Sequence, residues 1–498
     1  MNSGVKTQCK PSYRILTEEQ IKEIHRASLE VLETVGVRVL HEGGVQLLQE
    51  AGCRVKGNVV QIPNWLVEES IRSAPSRITM YNQQGQEAMR LEGRNIYFGL
   101  GTDLISTYDL ETGEIRPSRL QDVANAATVA DYCEEVDFIA SFALPSDVPT
   151  NSMYVECVKA MMEHSVKPIF FTAAGQEDLA VIAEMAAVVA GGASSRGGRR
   201  PQGEDVLREK PFLIHYSEPT APLTHSHGAV RKVFFCAEKG IPICYTPGDM
   251  LGATTPVTLA GGIVQATAEA LSGIVLHQLK AKGAPIISGF GVVPLDMKTG
   301  IFSYGAPDLR LTNSAFADIF HYYEIPMWST VGTDAFRLDA QAAMEHAFGT
   351  LMAALDGANL IHDIGYMGQG LLGNPAAIVM SDEIISYVKR VIRGFDITRE
   401  KIGLDVIRKV GPGGDFMTQR HTADHFRQEL WRPKFLNRDT PKAWMEKGGK
   451  SYEEIVVQKA LDILATYRAE PLPKDVQQTI DEIASEAAGE LAAIQFVA

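Results

Sequence analysis

The chain has 498 residues, room for about three ordinary domains or for one large barrel with additions. Hydrophobic residues make up 45% and charged residues 22%, the balance of a folded chain with a substantial core, which excludes a disordered or fibrous protein. A net charge of −14 argues against a nucleic-acid-binding surface and a polybasic membrane anchor.

Six cysteines, Cys9, Cys53, Cys133, Cys157, Cys236 and Cys244, form no CxxC pair and no disulfide framework, as expected of a cytoplasmic protein. The first ten residues contain no apolar h-region of a secretory signal. The apolar stretches Leu179–Ala193 and Val257–Leu279 are interrupted by Glu184 and by Gln265, Glu269 and His277. They read as buried helices and not as membrane spans.

Residues 1–135 predict a helix-rich unit. Thr17 and Gln20 form a capping-box pattern, followed by helical apolar spacing at Ile21, Ile24, Val31 and Val35 and a stop at Gly36. Short strands are expected at Val37–Val39 and Cys53–Ile62, and Pro63 opens another helix. Asn95–Gly99 and Leu104–Tyr108 predict a hairpin or strand pair packed on the barrel.

From 136 to 435 the pattern changes to a (β/α)8 TIM barrel. Seven apolar runs, Phe138–Leu144, Pro168–Ala173, Phe212–Ser217, Ile241–Thr246, Pro285–Phe290, Ile325–Val331 and Leu360–Tyr366, each precede a helical stretch and recur at intervals of 29 to 44 residues. Several begin at proline, which is tolerated at a strand's first position, and they are apolar on both faces as parallel strands are. No GxGxxG follows a first strand, so a dinucleotide-binding sheet is the weaker reading. The eighth strand is expected between 375 and 420. Gly191–Lys210, with Arg196, Arg199, Arg200 and Arg208, reads as a surface loop at the barrel's foot. Residues 436–498 form a tail with two amphipathic helices separated by Pro471 and Pro473.

Function in such a barrel gathers where the strands end. Those ends supply Phe142, Phe171, Thr172, His215, Tyr216, Glu218, Tyr245, Asp249, Phe290, Trp328, Thr333, Asp334, His362, Asp363 and Tyr366. The set is aromatic and lacks a lysine for Schiff-base chemistry. Phe171, Tyr216, Tyr245, Phe290, Trp328 and Tyr366 are candidates for a ring of faces around a quaternary ammonium, a cation recognised through ring quadrupoles without hydrogen bonds; packing between barrel and helices is the alternative for each. His225 with His227, and His421 with His425, have spacings that could share a metal, but neither has an obvious third ligand. No metal is assigned. No GxSxG elbow or P-loop is present.

Three segments, NIYFGLGTDLISTYD (Asn95–Asp109), GTDAFRLDAQAAMEH (Gly332–His346) and GGDFMTQRHTADHFR (Gly413–Arg427), in this order and at these separations, resemble the trimethylamine methyltransferase superfamily over nearly the whole chain. Only standard residues occupy Val331–Asp334, where the trimethylamine enzymes carry pyrrolysine. The resemblance is therefore to the non-pyrrolysine, glycine betaine branch. It implies methyl transfer from a quaternary amine to the Co(I) of a cognate corrinoid protein, with no tightly bound cofactor and no nucleic-acid or membrane partner; a homo-oligomer is expected. Proline betaine, carnitine and γ-butyrobetaine are rival substrates. It further implies Tyr97 as a cage wall and Gly99 as a backbone contact, against a core tyrosine in a hairpin. His346 is a candidate donor to a substrate carboxylate if its helix projects above the mouth, or else packs against a neighbouring helix. Asp334 orients its loop, opposes the cation or caps the next helix. A metal-assisted barrel lyase or hydrolase using His215, Glu218, His225 and His227, and a non-catalytic betaine-binding protein, are the alternatives from other classes.

Overall fold

The computed structural model describes residues 10–191 and 202–492. At the centre lie eight parallel strands, here β1 Tyr97–Leu100, β2 Ile139–Ala140, β3 Ile169–Phe171, β4 Leu213–Ser217, β5 Ile243–Tyr245, β6 Ile286–Gly289, β7 Met327–Thr330 and β8 Leu360–Ile364. Each of β2 to β8 lies within one of the seven apolar runs. Neighbours pair in chain order, β8 pairs with β1, and a parallel bridge between Gly99 and Phe138 brings β1 to β2. The ring is nearly closed. A Cβ on Gly99 would lie 2.3 Å from the Phe138 ring, so glycine at this position lets the seam close.

The eighth strand is thus not between 375 and 420. That stretch holds the helix Pro375–Arg393 and smaller helices, and the missing strand is Tyr97–Leu100, the barrel's first, inside the segment read as an N-terminal unit. It does not form a hairpin with Leu104–Tyr108. Ser106–Tyr108 instead pairs with Ile115–Pro117 and Leu372–Gly373 over the barrel's upper end.

A helix follows every strand: Leu120–Tyr132, Met153–His164, Gln176–Gly191, His227–Lys239, Leu259–Lys280, Pro307–Tyr323, Ala340–Asp356 and Pro375–Arg393. Leu259–Lys280 is long and apolar enough to span a bilayer, but 72% of its most apolar window is buried within the molecule. Arg196, Arg199 and Arg200 of the expected Gly191–Lys210 loop lie outside the described residues, while Gln202–Glu209 is helical.

Before the barrel, Glu18–Glu30 starts with the capping box foreseen at Thr17 and Gln20, both hydrogen bonds being formed at 2.9 and 3.3 Å. Val37–Val39, Val59–Gln61 and Arg54–Lys56 make a small sheet that takes Thr224–His225 as its outer strand. In the tail, Tyr452–Thr466 packs on Pro375–Arg393 and Leu120–Tyr132, and Lys474–Leu491 packs on Gln176–Gly191 and Met153–His164.

Candidate active site

Strand alternation decides which aromatic side chains enter the barrel, because successive residues point to opposite faces. On β3, Phe170 is the inward residue: its ring centroid lies 4.6 Å from that of His362 and 5.5 Å from Tyr216. Phe171 turns outward and packs 5.1 Å from His215, which lies beside Lys232 of the helix after β4. Tyr216 stands 5.7 Å from Trp328, and Trp328 stands 4.9 Å from Phe290 and 5.3 Å from His362. Tyr366 continues the cluster at 6.2 Å from His362, and Tyr304 adds a further ring 6.5 Å from Tyr366. Four sequence candidates, Tyr216, Phe290, Trp328 and Tyr366, therefore meet.

The others stand elsewhere. Tyr97 begins β1, so it sits at the foot, where its hydroxyl accepts the Arg90 N–H at 2.9 Å. Tyr245 projects outward onto the helix Leu259–Lys280 and its hydroxyl meets His225 Nδ1 at 2.7 Å. A Cβ on Gly273 of that helix would lie 2.3 Å from the Tyr245 ring. Gly99 serves the barrel seam. His346 is fully buried in Ala340–Asp356, beside the Tyr366 backbone. Burial pushes its pKa down to about 4, so it is neutral near pH 7 and its helix does not lift it above the mouth.

Asp334 holds a loop. Its carboxylate accepts the Ser303 hydroxyl and the Tyr304 N–H, the latter at 2.8 Å, and so fixes Tyr304 beside Tyr366. Capping of the next helix falls to Asp339, which accepts the N–H groups of Gln341 and Ala342. Arg310, buried, donates to the carbonyls of Thr330 and Tyr304, both at 2.6 Å. It ties the end of β7 to that same loop.

Carboxyl groups line the mouth between the rings. Glu218 accepts the Tyr216 hydroxyl at 3.1 Å. It is reached by solvent, yet the barrel around it desolvates it enough to raise its pKa. Asp103 accepts the Thr172 hydroxyl at 3.1 Å, and burial pushes its carboxyl up to about 6. Asp363 accepts the Thr330 hydroxyl, and its Oδ1 lies 2.6 Å from His362 Nδ1 without hydrogen-bond alignment. A Cβ on Gly101 would lie 2.1 Å from the Tyr366 ring and 2.5 Å from the Asp363 carboxylate; the absent side chain makes room for both.

Two buried donors complete the recess. Trp328 Nε1 and His362 Nε2 have no hydrogen-bond partner among the described residues, the other His362 nitrogen being the one beside Asp363. Unpaired polar atoms at such depth are costly unless a ligand or water meets them.

Sequence reasoning missed Phe170, Asp103 and Tyr304. Phe170 was masked by its neighbour Phe171. Asp103 would have emerged had Tyr97–Leu100 been recognised as β1, since it follows that strand's end. Tyr304 lies far from any strand end in sequence, and no local signal marks it.

The histidine pairs do not converge on a centre. His225 is enclosed by Tyr245 and Ser272, at 2.7 and 2.8 Å, and burial lowers its pKa to about 4. His227 instead faces His41. His421 and His425 lie with their rings 4.4 Å apart and tilted by 53°, beside Glu400. No group of three or more metal-ligating side chains occurs among the described residues. A cleft of about 650 Å³ lined by Tyr108, Ile115, Phe336, Arg337 and Glu453 contains none of the aromatic cluster.

These features define a TIM-barrel protein with an aromatic, carboxylate-bearing mouth. The chain belongs to the trimethylamine methyltransferase (MTTB) family, whose model matches residues 2–489, and it is accordingly a methyltransferase of that family. It is 32% identical to trimethylamine methyltransferase MttB of Desulfitobacterium hafniense (strain DSM 10664 / DCB-2), over 94% of this chain and 93% of that protein. It is 29% identical to the glycine betaine methyltransferase of Desulfitobacterium hafniense (strain Y51), over 88% of this chain and 90% of that protein. Among solved structures, the hydroxylamine complex of MtmB shares the fold at a TM-score of 0.50 and 10% identity, covering 99% of this chain and 91% of that one.

Proposed function

We propose that this protein moves a methyl group from a quaternary amine, glycine betaine first, to the Co(I) centre of a cognate corrinoid protein, leaving dimethylglycine. The carrying observation is the joining of Tyr216, Phe290, Trp328, Tyr366 and Tyr304 around one mouth with Glu218, Asp103 and Asp363 between them. Ring faces and carboxylates together attract a cation that offers no N–H donor. The likeness to a glycine betaine methyltransferase points the same way.

The chemistry suits that substrate. A quaternary ammonium carries its positive charge at any pH and departs as a neutral tertiary amine when its N–CH3 bond breaks, so no general acid is required. The methyl carbon bonds to the reduced cobalt of the carrier, and the N–C electron pair stays on nitrogen. What the barrel must supply is alignment and exclusion of water. The rings hold the ammonium head, and the Asp334–Ser303–Tyr304 tie and Arg310 fix the upper wall. The unpaired Trp328 Nε1–H and the His362 ring are the donors we assign to the betaine carboxylate. The cofactor belongs to the carrier; this chain retains none, and we place both in the cytoplasm.

The test is conversion of Co(I) to methyl-Co(III) corrinoid protein, followed spectrally, with glycine betaine, proline betaine, carnitine, γ-butyrobetaine and trimethylamine. Methylation by glycine betaine but not by trimethylamine is expected. Use of trimethylamine alone, or binding of betaine without methyl transfer, would refute the proposal.

A further inference from the structure

The helix Ala340–Asp356 carries a half-buried carboxylate, Glu345, in its second turn. Its Oε2 accepts the Thr333 hydroxyl and, at 2.8 Å, the Asp334 N–H, while its Oε1 accepts the Gln341 side-chain amide at 3.0 Å. Glu345 thus grips the loop after β7 from the helix that succeeds it. Thr333, Asp334 and Glu345 all belong to the segment Gly332–His346 that supplied part of the family resemblance. The stretch 303–305, entering from beyond β6, lies against the same carboxylate: a Cβ on Gly305 would come within 2.4 Å of its carboxyl carbon and 2.6 Å of each oxygen.

From this grip two ties lead to the aromatic rings. Asp334 accepts the Tyr304 N–H at 2.8 Å, and Thr333 donates its own N–H to the Tyr366 carbonyl at 3.3 Å. Gly332 fits between the two tyrosines, since a Cβ there would lie 3.5 Å from Tyr304 and 3.7 Å from Tyr366. The rings themselves stand edge to face, 6.5 Å apart with planes at 76°. Burial first, then the charges of Asp363 and Glu218, raise the Tyr304 pKa, which places its hydroxyl beside the carboxyl groups of the mouth. Both ties start from one carboxylate oxygen, so a shift of Glu345 moves both rings. Arg310 holds the Tyr304 carbonyl independently; losing the grip of Glu345 therefore loosens this wall without releasing it.

We propose that Glu345 is a positioning residue for cation recognition: it touches no substrate, and through Thr333 and Asp334 it seats the Tyr366 and Tyr304 rings against the ammonium head. The role rests on the reading of this mouth as the cation's site; the hydrogen bonds do not. What it requires of Glu345 is reach and not charge, and the two can be separated. Aspartate keeps the charge but is shorter by one C–C bond, about 1.5 Å, which takes the 2.8 Å contact with the Asp334 N–H out of hydrogen-bond range. Glutamine keeps the reach and an acceptor oxygen and loses the charge.

The experiment is calorimetric binding of tetramethylammonium to the full chain without carrier, in wild type, Glu345→Asp and Glu345→Gln, each checked for folding by circular dichroism. The aspartate variant should bind at least about tenfold more weakly, the effect of one lost hydrogen bond to a charged group, and the glutamine variant within about threefold of wild type. Wild-type affinity in the aspartate variant overturns the proposal. So does a comparable loss in the glutamine variant, which would make Glu345 a distant counter-charge. Should the aspartate variant not fold, Gly305→Ala replaces it, its methyl displacing the carboxylate, with the same loss expected. Amide exchange at Tyr304 and Asp334, read without ligand, should quicken about tenfold in the aspartate variant, and unchanged exchange refutes the anchor. A wild type that binds no tetramethylammonium refutes the reading of the mouth and this role with it, whereas binding that Glu345→Asp leaves untouched refutes this role alone.

Discussion

Trp328→Phe separates the two recognition elements assigned to the mouth. Trp328 lies between Phe290, His362 and Tyr216, at 4.9, 5.3 and 5.7 Å, so phenylalanine keeps an aromatic face in place. It removes Nε1–H, the buried donor without a partner. A hydrogen bond to a charged acceptor contributes about 1.5–3 kcal/mol, which is roughly a 10- to 150-fold factor at 1.4 kcal/mol per decade. The weaker ring face also costs something, but it costs the same for every quaternary ammonium. The informative quantity is therefore the ratio of kcat/KM for glycine betaine to that for tetramethylammonium, which has no carboxylate, measured as methylation of Co(I) corrinoid protein. The ratio should fall by at least tenfold. An unchanged ratio would show that Trp328 does not meet the carboxylate.

Asp103→Asn tests the acidic side of the mouth. Because burial lifts its carboxyl from 3.8 to about 6, the folded state holds the proton more tightly. Asp103 thus favours folding below pH 4 and loses that contribution as pH rises toward 6, by about 3 kcal/mol for two pKa units. The variant should melt at higher temperature than wild type at pH 7.5 and at the same temperature at pH 3.5, and a rise in methyl transfer near pH 6 should disappear with it. Tyr245→Phe should cost about 1–3 kcal/mol, since His225 Nδ1 loses its partner; KM for the amine should not change, and a raised KM would return Tyr245 to the pocket. Gly101→Ala places a methyl against Tyr366 and Asp363; overpacking should cost about 1–3 kcal/mol and lower kcat/KM at least tenfold, whereas wild-type kinetics would show that the recess is slack.

Seven of eight barrel strands were legible because each is an apolar run followed by a helical stretch. β1 was not, because Tyr97–Leu100 is flanked by polar loops and resembles one arm of a hairpin, and its partners β8 and β2 come from elsewhere in the chain. The site was half legible for a related reason. A strand's period of two means that choosing one residue too far along selects the opposite face. The Phe170–Phe171 pair offers no sequence clue to which ring enters the barrel, and only the contacts with His362 and Tyr216 decide it. Tyr97 fails for position along the strand instead: it is at the end away from the mouth. Long-range ties such as Asp334 to Tyr304 leave no trace in spacing.

Backbone geometry adds a property that side chains alone would not reveal. Asp103, Phe142, Phe290 and Asp363 have φ of 67, 59, 86 and 71°, four non-glycine residues in left-handed conformations at the ends of β1, β2, β6 and β8. Each such residue costs on the order of 1–3 kcal/mol and persists only where its surroundings enforce it. Here the enforcement is visible: Thr330 holds Asp363 and Thr172 holds Asp103, while Phe142 is wedged against Gly365 and Gly373. A mouth built this way is cast before substrate arrives, which is what a displacement governed by alignment needs. Amide exchange at 101–104, 290–292 and 363–366 should therefore be slow in the free enzyme and should not slow further with saturating betaine. New protection of tenfold or more at those amides would mean that substrate builds the mouth, and the strain would then have no part in positioning the methyl group.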